Sequence, residues 1–70
     1  MDVRERLAVN MKRLRTERGW SQEALADAAG LDRTYISGIE RVVRNPTLLV
    51  LEKVATALEC GYSDLLDDIR

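Results

Sequence analysis

Apolar residues recur along this chain at the three- and four-residue intervals of a helix, not in the alternation of a half-buried strand. Leu7, Met11, Leu14 and Arg18 stand at 4-3-4 spacing, with Arg6, Asn10, Arg13 and Glu17 elsewhere on the wheel, which predicts an amphipathic helix over 3–18. Gly19 ends it, because glycine takes the left-handed conformation past a helix terminus without steric penalty, and Trp20 turns back into the core. Ser21 can accept a bond from an orphan N–H of a second helix, Gln22 to about Ala29, whose first-turn Glu23 complements the dipole. Only Gly30 and Leu31 then precede Asp32, which has the side chain to cap a third helix through about Arg41. Two helices joined by so short a glycine-containing turn form the helix-turn-helix pattern, with axes about 90–120° apart. Val42 to Pro46 is a loop, since proline disfavours helix at the residue before it and Asn45 suits a turn. Thr47 caps a fourth helix whose stripe is Leu48, Leu51, Ala55 and Leu58, widened by Val50 and Val54, through to about Glu59. A last short helix, capped by Gly61 or Ser63, carries Leu65, Leu66 and Ile69. The expected fold is all-α, with five helices and no convincing strand.

The third helix divides into two faces. At about 100° per residue from Arg33, the positions Arg33, Ser37, Arg41, Thr34 and Gly38 fall within about 0–140°, and Tyr35, Ile39 and Ile36 within about 200–300°. The second face is core. The first offers guanidinium and hydroxyl groups above a glycine that keeps the helix surface low, and these suit a nucleic-acid groove. Arginine bonds bidentately to guanine O6 and N7, and threonine offers a hydroxyl to a base edge or a methyl to thymine. Gly38 costs the helix about 1 kcal/mol relative to alanine, which close approach to a partner would offset. Tyr35 lies at the margin of the two faces, where packing and a phosphate or base contact are both open.

Seventy residues suffice for one domain at most. With 46% apolar and 33% charged residues, the chain is expected to fold as an ordinary globular protein. The chain has no histidine and one cysteine, Cys60. That excludes an intramolecular disulfide, the common zinc ligand sets and the Ser-His and Cys-His nucleophile pairs, so neither catalysis nor a cofactor is expected. Cys60 reads as a small buried hydrophobe, and Asp64, Asp67 and Asp68 as a solvated face rather than a metal cluster. The longest strictly apolar run, Leu48 to Leu51, is far shorter than the roughly 20 residues of a membrane span, and Met1 to Glu5 does not resemble a signal peptide. A cytoplasmic location without membrane or small-molecule substrate is the expectation. The net charge of -1 conceals an uneven distribution: residues 1–54 carry ten Lys/Arg against eight Asp/Glu, and residues 55–70 carry Arg70 against four acids. A core this small supplies roughly 3–5 kcal/mol and has no disulfide or metal to reinforce it, so a homodimer is expected. Tyr62, Leu65, Leu66 and Ile69 exceed what the last helix needs for its own packing, and they are the candidates for the seam, within a dimerisation segment of about 61–70, joined by Leu49 from the fourth helix.

The run from Ser21 to Arg41, followed by Arg44-Asn45-Pro46-Thr47, resembles the lambda repressor/Cro-type helix-turn-helix family. The resemblance rests on the Ser21-Gln22 opening, the small Ala26, the turn Gly30 and the inward Ile36 and Ile39, and it covers about 60 of the 70 residues. It implies a compact five-helix DNA-binding domain over 1–70, with the helix-turn-helix at about 21–41. The Arg33-Thr34-Tyr35-Ile36-Ser37 run is most similar to controller proteins of restriction–modification operons. Carried over by position, the family places Arg33, Thr34, Ser37 and Gly38 against the major groove, with Tyr35 beside them. It places Gln22, Arg44 and Asn45 on phosphates, and Arg41 joins that set. It pairs Arg15 with Glu40, which sits at about 340° on the third-helix wheel, at the border of core and solvent. The implied function is regulation of transcription by a homodimer on a roughly palindromic double-stranded operator, recruiting or blocking RNA polymerase. A phage-type repressor, an antitoxin-like autoregulator and a protein–protein module on the same scaffold remain open as alternatives. Two departures stand out: Val42 occupies a frequent glycine position, so the third helix is expected to leave by a different path, and Glu59 replaces another, with Gly61 expected to take over part of that turn.

Overall fold

The structure is a computed structural model that describes residues 1–68. Its helices are α1 (Val3–Glu17), α2 (Gln22–Ala29), α3 (Arg33–Glu40), α4 (Leu48–Leu58) and α5 (Tyr62–Leu66), and no strand occurs among the described residues. Local chemistry starts each one. Asp2 accepts from the Arg4 and Glu5 amides while Glu5 reaches back to the Asp2 amide, a reciprocal cap for α1. Ser21 accepts from the Ala24 amide, Asp32 from Thr34 and Thr47 from Val50. Gly61 starts α5, with its amide donating to the Asp64 carboxylate at 2.9 Å.

Four helices end the same way. At each, the amide of the left-handed residue bonds three residues back and the following amide bonds five back: Gly19 and Trp20, Gly30 and Leu31, Val42 and Val43, Glu59 and Cys60. Gly19 (φ 73°) and Gly30 (φ 69°) do this freely, whereas Val42 (φ 59°) and Glu59 (φ 54°) are forced into it. This corrects both expectations for these turns. The third helix does leave by the left-handed path, because the bonds from Val42 to the Ile39 carbonyl and from Val43 to the Gly38 carbonyl, each 3.0 Å, satisfy carbonyls that would otherwise be orphaned. Glu59 itself makes the later turn, and Gly61 has φ -88°. Glu59 is held by Arg18, which donates to its carboxylate at 2.6 Å and to the Leu58 carbonyl at 3.2 Å.

The helices share one core in which Met11, Leu25, Ile36, Val54 and Leu65 are fully buried. Trp20 packs at its edge with Arg18 over the ring. Arg18 thus leaves the apolar stripe assigned to it and lies exposed beyond the end of α1. Asn10, expected off the core face, is buried instead, and its amide donates to the Leu65 and Asp67 carbonyls at 2.9 and 3.0 Å. Arg6 adds a 2.7 Å bond to the Leu66 carbonyl, so two α1 side chains satisfy the carbonyls at the end of α5. Among the described residues no helix is long and apolar enough to cross a membrane.

Candidate nucleic-acid interface

The position of α3 is set by a hub of ionic and polar groups at its C-terminal end. Arg15 on α1 forms a fork on Glu40, Nε to Oε2 at 2.6 Å and Nη2 to Oε1 at 2.9 Å, with the two side chains only 10% and 6% exposed. The third donor, Nη1, bonds the Trp20 carbonyl at 3.0 Å. The Gln22 amide donates to Glu40 Oε1 at 3.1 Å. One carboxylate therefore gathers α1, the start of α2 and the end of α3. Its hydrogen bonds to the Arg15 guanidinium, with its negative charge adding to the effect, push that group further up from its already high value, against the opposing pull of burial. Every buried side-chain nitrogen and oxygen among the described residues has a hydrogen-bond partner.

Clamped this way, α3 buries Ile36 and Ile39 and turns Arg33, Thr34 and Arg41 to solvent, with Ser37 half-buried beside them. The N-cap fixes the start of this strip. Asp32 accepts from both the Thr34 amide (2.8 Å) and the Thr34 hydroxyl (2.6 Å), and these bonds hold its carboxyl below the usual carboxylate range, with the Arg33 and Arg44 charges adding to the effect. Binding the hydroxyl to Asp32 leaves the Thr34 oxygen's lone pairs and its methyl for an outside partner.

Gly38 is the main revision to the strip. It is buried, not open to a groove: a β-carbon there would lie 3.1 Å from Arg44 Cβ and 3.3 Å from Arg44 Nε. The clearance left by the missing side chain is occupied by Arg44, whose guanidinium stands 5.0 Å from the Tyr35 ring centroid. Arg44, placed by sequence with Asn45 in a phosphate-contacting loop, is thus folded back along α3, while Asn45 is simply exposed. Tyr35 is half-buried against the core and lends Arg44 its ring face. Gln22, also placed on a phosphate by sequence, is half-buried with its amide on Glu40.

A second surface lies away from α3. Leu48, assigned by periodicity to the core stripe of α4, is 86% exposed, because its face of the helix continues past the body that covers Leu51. Leu49 and Tyr62 are exposed beside it and Leu66 is half-buried. Leu48, Leu51, Tyr62 and Leu66 line an apolar groove. Leu65 does not belong to this surface; it is fully buried in the core and unavailable to a seam. Ile69, the remaining seam candidate, lies outside the described residues. Cys60 is half-buried, and burial pushes its thiol up, with the Asp64 charge adding to the effect.

Comparison with known proteins agrees with this geometry. The family model described as "Helix-turn-helix" matches residues 11–65. A hypothetical transcription factor of Neisseria meningitidis is 49% identical over 93% of this chain, which spans 61% of that protein's length, and a crystal structure of a Neisseria protein of that description superposes with TM-score 0.89 over 93% of this chain and 75% of that one. Control protein C.SmaI of Serratia marcescens is 46% identical over 94% of this chain and 79% of its own. The restriction–modification controller protein C.Esp1396I, solved as a tetramer with its natural 35 base-pair operator, superposes with TM-score 0.83 at 40% identity, covering 91% of this chain and 88% of that one. With the family model spanning most of the sequence and the turn between α2 and α3 built as described, the chain belongs to the helix-turn-helix family of transcriptional regulators, and restriction–modification control proteins are among its close relatives.

Proposed function

We propose that this protein is a sequence-specific double-stranded DNA-binding regulator of the restriction–modification controller type, acting in the cytoplasm as a homodimer on a roughly palindromic operator. The observation that carries the reading is the exposed polar strip of Arg33, Thr34 and Arg41 on a helix whose opposite face is locked into the core. Arg33 and Thr34, at the N-terminal end of α3, read base edges, and Ser37 supports them from the next turn. Arg41, Asn45 and the Gln22 backbone N–H at the start of α2 set the register on phosphates. The polar character of the strip speaks against a protein–protein module, which would present apolar residues there.

Leu48, Leu49, Tyr62 and Leu66 form the dimer seam in this reading, on a surface separate from α3. A twofold mate places two copies of α3 in successive major grooves about 34 Å apart, and the bound dimer recruits or blocks RNA polymerase without any catalytic step. The controller protein solved as a tetramer on its operator supports the DNA partner and binding as an oligomer.

Selection of bound duplexes from a random pool tests this. The expected product is a pair of inverted half-sites spaced by about one helical turn or a multiple of it. Arg33→Ala then costs about 1–3 kcal/mol at one base pair of each half-site and leaves nonspecific binding nearly intact. A pool that returns no common sequence refutes specific binding, and an equal loss on all sequences moves Arg33 to the DNA backbone.

A further inference from the structure

We infer that Arg6 and Asn10 of α1, neither of them a seam residue, decide whether the protein dimerises, by holding α5 in the place from which it presents Tyr62 and Leu66. The inference rests on the dimer seam read above and deepens it.

Three observations carry it. First, α5 lacks the closure that the other helices have. Each of α1 to α4 ends on a left-handed residue whose amide, with the next one, turns back onto the helix. Asp67, after α5, is instead extended (φ -71°, ψ 159°), and its amide reaches the Ser63 carbonyl at 2.9 Å. No described backbone amide reaches the carbonyl of Leu65 or Leu66. Second, α1 supplies the missing donors. The Asn10 amide donates to the Leu65 carbonyl at 2.9 Å and to the Asp67 carbonyl at 3.0 Å. Arg6 Nε donates to the Leu66 carbonyl at 2.7 Å, with the Asp68 carboxylate 3.6 Å away, while Nη1 holds the Met1 carbonyl at 2.9 Å. Third, α5 has little of its own to hold it. It is five residues long, far below the roughly 12–15 at which an isolated helix becomes marginal, and Leu65 is its one fully buried side chain.

The consequence for the seam follows from register. Tyr62 and Leu66 stand four residues apart, on one face of α5, and line the same groove with Leu48 and Leu51. Leu65 anchors the middle of the helix, and the two α1 side chains fix its end. Leu66 is tied directly, since its own carbonyl is the one that Arg6 holds. Only a protomer with α5 seated can form the seam, so the dimer weakens by the seated fraction of each partner. Asn10 is 3% exposed, so water does not replace its amide, and depriving a buried acceptor of its donor shifts the seating balance by about 5- to 150-fold. Arg6 and Asn10 act here as positioning residues.

The test compares Arg6→Met, Asn10→Ala and Arg13→Met with wild type by sedimentation and by duplex binding. Arg13 is the control, an exposed α1 arginine paired with Glu17 of its own helix. The dimer dissociation constant is expected to rise at least about fivefold in Arg6→Met and Asn10→Ala and to keep its wild-type value in Arg13→Met. Affinity for a duplex with one half-site, which a single α3 reads, stays at the wild-type value in all three. Affinity for the whole selected site falls in the first two and returns once protein concentration exceeds the new dissociation constant. A general structural defect lowers half-site binding as well, and that result overturns the inference. Arg6→Met carries the test if Asn10→Ala fails to fold, because the Arg6 side chain is half-buried outside the core. Tyr62→Ser, run alongside, keeps the seam reading distinguishable. A dimer that survives Tyr62→Ser discards the seam and the positioning role together. A dimer lost in Tyr62→Ser and intact in Arg6→Met discards the positioning role alone.

Discussion

Removing Arg15 tests most severely how α3 is held. In Arg15→Met the methionine fills much of the same space, but Glu40 loses both members of the guanidinium fork and keeps only the Gln22 amide. The carboxylate is 6% exposed, too little for water to replace what is lost. Breaking a buried pair from one side costs about 3–5 kcal/mol, against about 0–1 for a surface pair. A chain of this length, at roughly 0.05–0.15 kcal/mol per residue, has about 4–10 kcal/mol in all, and the upper part of that range requires the dimer partner because the core alone supplies roughly 3–5 kcal/mol. Arg15→Met therefore removes a large part of the stability, and the melting temperature falls by about 12–40 °C, at about 4–8 °C per kcal/mol. Replacing both partners with methionine eliminates the stranded charge, so Arg15→Met/Glu40→Met recovers most of the loss. The coupling energy from the four-variant cycle is expected to be at least about 2 kcal/mol. Urea unfolding followed by helical circular dichroism, with slopes compared among variants, measures it. If Arg15→Met costs under about 1 kcal/mol, or the double variant costs the sum of the singles, the clamp is an ordinary surface pair and the reasoning fails.

The Asp32 carboxyl is held down by the Thr34 hydroxyl and amide, so a nuclear magnetic resonance titration should place its midpoint below the usual carboxylate value of about 3.9. Because the folded pKa is the depressed one, this stabilisation is present above the unfolded value and is lost as pH falls through the folded one; Asp32→Ser should keep the cap and flatten that acid limb, and an unchanged limb would refute the assignment. Leu48→Ser and Tyr62→Ser should shift sedimentation toward monomer with little change in the unfolding of the monomer, since both residues are exposed; an unaffected dimer would move the seam elsewhere. Cys60, with its thiol pushed up by burial, should be alkylated more slowly at pH 8 than free glutathione; equal rates would contradict its environment.

The helices were legible in the sequence wherever the determining chemistry is local. Ser21, Asp32 and Thr47 each cap the element they precede, and Gly19 and Gly30 turn as glycines do. Val42 and Glu59 are not legible in the same way, because the pair of terminal hydrogen bonds at each turn overrides the intrinsic preference of the residue. The cap at Asp2 was readable from the Asp2-Glu5 spacing alone. Asn10 was not: its partners lie 55 and 57 residues away, and no helical wheel reports them. Periodicity assigned Leu48 and Leu65 to faces, but not how far the neighbouring body extends, and so the exposed and the buried leucine were exchanged. The strip from Arg33 to Ser37 followed from the wheel, whereas the place of Arg44 over Gly38 needed the path of the loop.

The central claim is that α3 meets DNA bases while the Leu48–Tyr62 surface stays clear of them. Backbone amide chemical shifts of the protein titrated with its selected duplex test it most directly. The largest changes should fall at Arg33 to Gly38, with further changes at Gln22 and Val43 to Asn45, and little change in α5. Changes centred on α5, or no change with any duplex, would contradict it.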